Sequence, residues 1–182
     1  MQMITFAWLG REFASLSCEG PPGATQREET QDIFRRMESE LRTVGMSLQN
    51  TVRTRLWGKD RESRDVAGAE RVVILSDKAR SSSSSYICPG HFESGAQVAI
   101  DLVAMKPLRP GIHKFLMEYD PPAIPLRYLT YDGVVVLSGV TAVLHTLSDQ
   151  MDNILTRITG SRADAGSCWD EVVKASFFLH RS

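Results

Sequence analysis

Residues 98–105 constrain the fold more than any other stretch of this chain. Val98, Ile100, Leu102 and Ala104 alternate with Ala99, Asp101, Val103 and Met105, so an extended segment here is apolar on both faces except at Asp101. A strand of that kind lies inside a sheet covered on both sides, and its one carboxylate needs a partner. Ahead of it stand Arg80, the five serines Ser81–Ser85 and a Pro89-Gly90 turn. If the serines pair alongside this strand, Arg80 rides on a rigid element near Asp101 and the place suits an anion. If they form a loop, as serine runs usually do, Arg80 is a solvated charge.

The rest of the chain reads in short periods. Residues 3–17 suit two strands turning at Leu9-Gly10-Arg11, and the Gly20 to Gly23 turn closes the hairpin. Ile33, Phe34, Met37, Leu41 and Val44 recur at helical spacing from Thr25, with Glu28 and Glu29 in the first turn and Gly45 as the stop. Thr51 to Trp57 alternates like a strand, and Asp60 can cap a second helix running to about Leu75. His113–Tyr119 and Leu126–Tyr131 read as further strands, with prolines between them.

From Asp132 the pattern starts again. DGVVVLSGV is a turn and a strand, the apolar positions from Leu144 to Ile158 make an amphipathic helix, Gly166 stops it, and Glu171–Leu179 reads as a strand. Without gaps, Leu16-Ser17 falls on Leu137-Ser138, Ile33 on Ile154, Gly45 on Gly166 and Val52 on Val173. One offset through strand, helix, turn and strand points to an internal duplication, with one unit at 1–110 and a second, incomplete one at 111–182.

Composition excludes more than it assigns. A net charge of -1 over 182 residues supplies no field for nucleic acid or an anionic membrane, and pairs such as Arg35-Arg36 and Arg53/Arg55 read as solvated faces. Three widely spaced cysteines suit a reduced, cytoplasmic protein, and no apolar run is long enough to span a bilayer. Phosphate loops, zinc signatures and nucleophile elbows are absent, and the four histidines fall in different elements, so no metal or other cofactor is expected. Cys88 with His91 three residues on is a nucleophile and base at reachable spacing; an isolated cysteine is more often a small buried hydrophobe.

Taken in order, Leu16-Ser17-Cys18-Glu19-Gly20, Gly45-x-Ser47-Leu48, Ala79-Arg80-Ser81 and Val98-Ala99-Ile100-Asp101, with Leu137-Ser138-Gly139 and Gly166-x-Cys168-Trp169-Asp170 repeating the first two, the chain resembles the RidA family, also called YjgF or endoribonuclease L-PSP proteins. The resemblance implies an α+β, chorismate-mutase-like sheet with helices on one face, here duplicated. It also implies a homo-oligomer with ligand clefts between subunits and cofactor-free hydrolysis of 2-imino or enamino acids to keto acids and ammonia. Arg80 matches the arginine that grips the substrate carboxylate, a task for which a guanidinium fork suits better than an ammonium. Ser81, Glu19, Ser138 and Gly139 would line the same cleft.

At the position of the family's water-activating glutamate stands Ala99. Asp101 shares its side of the strand but lies roughly 7 Å further on at ~3.3 Å per residue. The segment between Arg80 and Val98 is also longer than in the family, and it brings Tyr86, His91 and Glu93 as alternative chemistry. Three readings follow: a RidA-like deaminase of a small carboxylated imine, with Asp101, Glu93 or His91 as catalytic group; a non-catalytic module that binds a small carboxylate or assembles with partners; and a diverged, chorismatase-like enzyme.

Overall fold

The computed structural model describes residues 1–92 and 94–178. The chain divides into two compact units, Met1–Gly139 and Val140–Ser182. This division follows packing and falls later than the boundary at 110/111 that the repeated pattern suggests.

The first unit opens with a hairpin of β1 (Gln2–Trp8) and β2 (Arg11–Glu19). Leu9 and Gly10 both take positive φ, 50° and 69°, the two-residue turn whose twist matches that of the strands it joins. The helix α1 (Gln26–Thr43) starts where Thr25 and Glu28 cap each other's backbone, and Gly45, with φ 70°, turns the chain out of it. Next come β3 (Thr51–Gly58), α2 (Arg61–Ile74) capped by Asp60, β4 (Ser82–Ile87) and β5 (Val98–Lys106).

These five strands form one sheet in the order β1-β2-β5-β3-β4. The strand at 98–106 is therefore central, as its two apolar faces require. The serine run is a strand, but it pairs parallel with β3 at the sheet edge and not with β5. A parallel neighbour needs a crossover, and α2 supplies it.

Both helices cover the same face. Ile33, Phe34, Met37 and Leu41 of α1 and Ala67 of α2 pack with Leu16, Leu56, Ile100 and Leu102 of the sheet. Buried Glu29 of α1 ties the layers together: its Oε2 accepts the backbone N–H of Gln97 at 2.9 Å and of Val98 at 2.8 Å, where β5 begins.

Part of the opposite face is covered by a second sheet of β6 (Phe115–Met117), β7 (Tyr128–Tyr131) and β8 (Val134–Leu137), all antiparallel. Phe13, Met105 and Val103 meet Leu126, Leu129 and Tyr131 there. The strands anticipated at 113–119 and 126–131 are present in shortened form, because the prolines at 121, 122 and 125 leave few residues free to pair.

In the second unit, α3 (Leu147–Asp164) is capped by Thr146, whose Oγ1 accepts the Asp149 N–H at 3.1 Å, and the Arg162 guanidinium sits 4.0 Å over the Trp169 ring. The helices α1 and α3 have 18 residues each, and both of their ends lie 121 positions apart. The threonine caps Thr25 and Thr146, the left-handed Gly45 and Gly166, and the 3-10 turns at 48–50 and 169–171 keep that spacing. The strand expected at 171–179 does not form: residues 172–178 have no regular structure, and Leu179 lies outside the described residues. A strand exists only through its ladder, so strand-forming residues without a paired neighbour leave the segment irregular. Among the described residues no helix is long and apolar enough to cross a membrane.

Candidate functional site

On the face of the first sheet away from the helices, pairing places Ser17, Arg55 and Asp101 side by side on β2, β3 and β5. Asp101 accepts hydrogen bonds from Ser17 Oγ at 2.7 Å and from Trp57 Nε1 at 2.8 Å, which answers the need for partners. Trp57 stacks on Tyr86 of β4, ring centroids 4.7 Å apart. An open cavity of about 560 Å³ is lined by Ser17, Glu19, Ser94, Ala99 and Asp101. Glu19 accepts a bond from the Ser94 hydroxyl there. Glu19 and Asp101 make the cavity acidic, and no arginine lines it among the described residues.

Arg80 lies elsewhere. Pairing sets Asp101 beside Arg55 and Arg55 beside Ser84, and Arg80 precedes the start of β4. At ~4.8 Å between strands and ~3.3 Å per residue, Arg80 and Asp101 are roughly 16 Å apart. Within one chain the two charges do not meet, because the serine strand pairs with β3, and β3 stands between them.

Arg80 borders a second cavity, of about 50 Å³, with Thr54, Arg71, Ser81, Ser83 and Leu126. Its guanidinium is paired with Glu118, just past β6, and both side chains are about one-third exposed. The other carboxylate oxygen of Glu118, Oε2, is buried without a partner. The backbone of Arg80 is held too, because Lys114 Nζ donates to the Arg80 carbonyl at 2.6 Å and to the Thr51 carbonyl at 2.9 Å. Burial pushes the Lys114 amine down to about 7.

Ser138 and Gly139, expected in the cleft with Arg80, meet the same edge strand through its backbone. Ser83 N–H donates to Ser138 Oγ at 3.2 Å, and Gly139 N–H donates to the Ser83 carbonyl at 3.0 Å. A Cβ on Gly139 would come within 2.8 Å of Ser84 Cβ, so this approach requires glycine. The structure thus brings Arg80, Ser81, Ser138 and Gly139 to one edge and leaves Glu19 with Asp101 at the other cavity. Glu93 and the side chain of His91 lie outside the described residues; Cys88 is half-buried just past β4.

Arg53, read from sequence as a solvated charge, donates to the Leu137 carbonyl at 2.8 Å and to Ser84 Oγ at 3.4 Å. Burial, and then the nearby Arg55, lower its pKa. Sequence reasoning missed Arg71, Lys114 and Glu118, which meet Arg80 only through tertiary packing. The one signal was the pair Lys114 and Glu118 flanking the apolar residues 115–117 of an anticipated strand. Among the described residues no group of His, Cys, Asp or Glu could hold a metal ion.

No protein-family model matches the chain, and no curated protein matches it. Solved structures do resemble it over about half its length. A Mycobacterium tuberculosis member of the YjgF/YER057c/UK114 family is 21% identical, covering 52% of this chain and 79% of that one, with a TM-score of 0.47. A structure described as a putative endoribonuclease from Thermotoga maritima is 14% identical, covering 56% and 84% with a TM-score of 0.48. A Neisseria meningitidis member of the YjgF family is 13% identical, covering 58% and 96% with a TM-score of 0.46.

Proposed function

We propose that this chain binds a small carboxylate at Arg80, in the manner anticipated for a RidA-like protein. The observation that carries the reading is the Arg80–Glu118 pair: the guanidinium already grips a carboxylate at the mouth of a cavity, so the geometry for a ligand's carboxylate is built. A partly exposed ion pair contributes little net stability, so a ligand can displace Glu118. Arg80→Ala should weaken binding of 2-oxobutyrate ten- to hundredfold, since a charged hydrogen bond is worth ~1.5–3 kcal/mol. Arg80→Lys should rescue it poorly because the fork is lost. Titration calorimetry reads both, and parent-like affinity in the two variants would return Arg80 to the role of a surface charge.

A hydrolase acting on a carboxylated imine is the second reading, and its base is Glu118 rather than Asp101. Glu118 Oε2 is buried, unpartnered and next to Arg80, a suitable place to hold water against an imine carbon, whereas Asp101 is out of reach. Keto-acid release from fresh 2-iminobutyrate above the rate in buffer, falling to the buffer rate in Glu118→Gln, is the matching result. Release at the parent rate in that variant sinks the assignment.

The common 121-residue spacing of cap, helix, left-handed glycine and 3-10 turn supports reading the chain as a tandem duplication. It also bears on assembly. Val143, Leu144 and Leu147 are exposed, as are Phe177 and Phe178, and large apolar side chains gathered in one short unit favour association. Size exclusion with light scattering should therefore find homo-oligomers at micromolar concentration; a stable monomer would rule this out.

A further inference from the structure

The cavity at Arg80 has a second cation, Arg71. Arg71 of α2 is 5% exposed, and its guanidinium donates only to neutral groups: the Ser84 carbonyl and Ser85 Oγ, each at 3.1 Å. Among the described residues no carboxylate pairs with it. A buried guanidinium normally gains a counter-charge, because removing it from water is expensive. Two of its five N–H groups are used in this way, and Arg71 lines the cavity. Beside it, Thr54 is 1% exposed, and its Oγ1 is buried without a hydrogen-bond partner. Buried hydroxyls are normally satisfied, and this one also lines the cavity.

Two guanidiniums and an unsatisfied hydroxyl thus meet one cavity that has no carboxylate among its described lining residues, and the nearest negative charge shown is Glu118, paired with Arg80. A cavity of about 50 Å³ has room for a few waters or a compact anion and excludes a ring. We propose that the ligand of this site is a short dicarboxylate, one carboxylate displacing Glu118 from Arg80 and the other held inside by Arg71 and Thr54. The proposal rests on the carboxylate reading of Arg80 and narrows it from monocarboxylates to dianions. A dianion neutralises both guanidiniums once Glu118 swings away. A monocarboxylate at Arg80 only replaces one negative charge by another and leaves Arg71 as it was.

The test compares malonate and succinate with the monocarboxylate 2-oxobutyrate by calorimetry on the whole chain, in the parent, Thr54→Val and Arg71→Lys. Thr54→Val keeps the shape of the side chain, and circular dichroism melts check that both variants fold. In the parent, a dicarboxylate should bind about tenfold tighter or more than 2-oxobutyrate, as expected for added charged hydrogen bonds. That advantage, read as the ratio of the two affinities within each protein, should vanish in both variants. Binding of 2-oxobutyrate with no dicarboxylate advantage in the parent overturns this proposal and leaves the carboxylate site standing. An advantage that survives both substitutions overturns it equally. Absence of binding by all three acids removes both readings together.

Discussion

Phe34→Ala should lower the unfolding free energy by about 3–5 kcal/mol, the cost of emptying a fully buried aromatic site. Phe34 is 1% exposed and stands between α1 and the central strands, with Ile33, Met37 and Leu41 on its own helix and Leu16, Ile100 and Leu102 in the same core. The loss combines the transfer energy of the ring with the cavity left behind, since the strands beneath are fixed by their ladders and cannot collapse into it. Urea unfolding followed by far-ultraviolet circular dichroism measures it. A loss under about 1 kcal/mol would mean that α1 does not dock on the sheet through this stripe.

The second large effect is a dependence of stability on pH set by Lys114. Its amine is pushed down from an ordinary 10.5 to about 7 by burial. Between those values the unfolded chain holds the proton and the folded chain does not, so unfolding takes up a proton and stability rises with pH. Below about 7 both forms are protonated, and the cost of burying the charge stands in full. The rise from pH 6.5 to 10 is bounded by on the order of 4 kcal/mol. The Thr51 and Arg80 carbonyls favour the ammonium and bring the measured rise below that bound. Comparing the pH slope of unfolding free energy in the parent with that in Lys114→Met isolates this group, even though the variant also loses two hydrogen bonds. Identical slopes would exclude Lys114 as their source.

Much of the fold was legible because it is local. The helix start at Thr25, the stop at Gly45, the cap at Asp60 and the two-sided apolar run at 98–105 each depend on neighbours within a turn or on period alone, and each stands where the sequence places it. The partner of the serine strand was not legible, since pairing is a choice between β5 and β3 that periodicity does not make. The site suffered from that choice directly. Moving the serines to the far side of β3 separates Arg80 from Asp101 and delivers Arg80 to Arg71, Lys114 and Glu118, three residues 9, 34 and 38 positions away in sequence. The strand expected at 171–179 failed for a related reason: its apolar β-branched and aromatic residues suit a strand, and composition does not provide a neighbour.

The two borders of the five-stranded sheet differ in how they would treat a stray peptide. On the β4 side the border is four consecutive serines, and Ser82 Oγ, Ser83 N–H and the Ser83 carbonyl are already engaged by Val136, Ser138 and Gly139. Runs of small hydroxyl side chains make a poor seed for the dry, interdigitated stacking of amyloid, and this lane is partly closed as well. On the β1 side, Ile4 and Phe6 are exposed on the outermost strand, and Phe6 is stacked on Phe13. Any fibrillar growth on this sheet has its low-barrier entrance at β1, and a lysine at position 4 is the gatekeeper that would shut it.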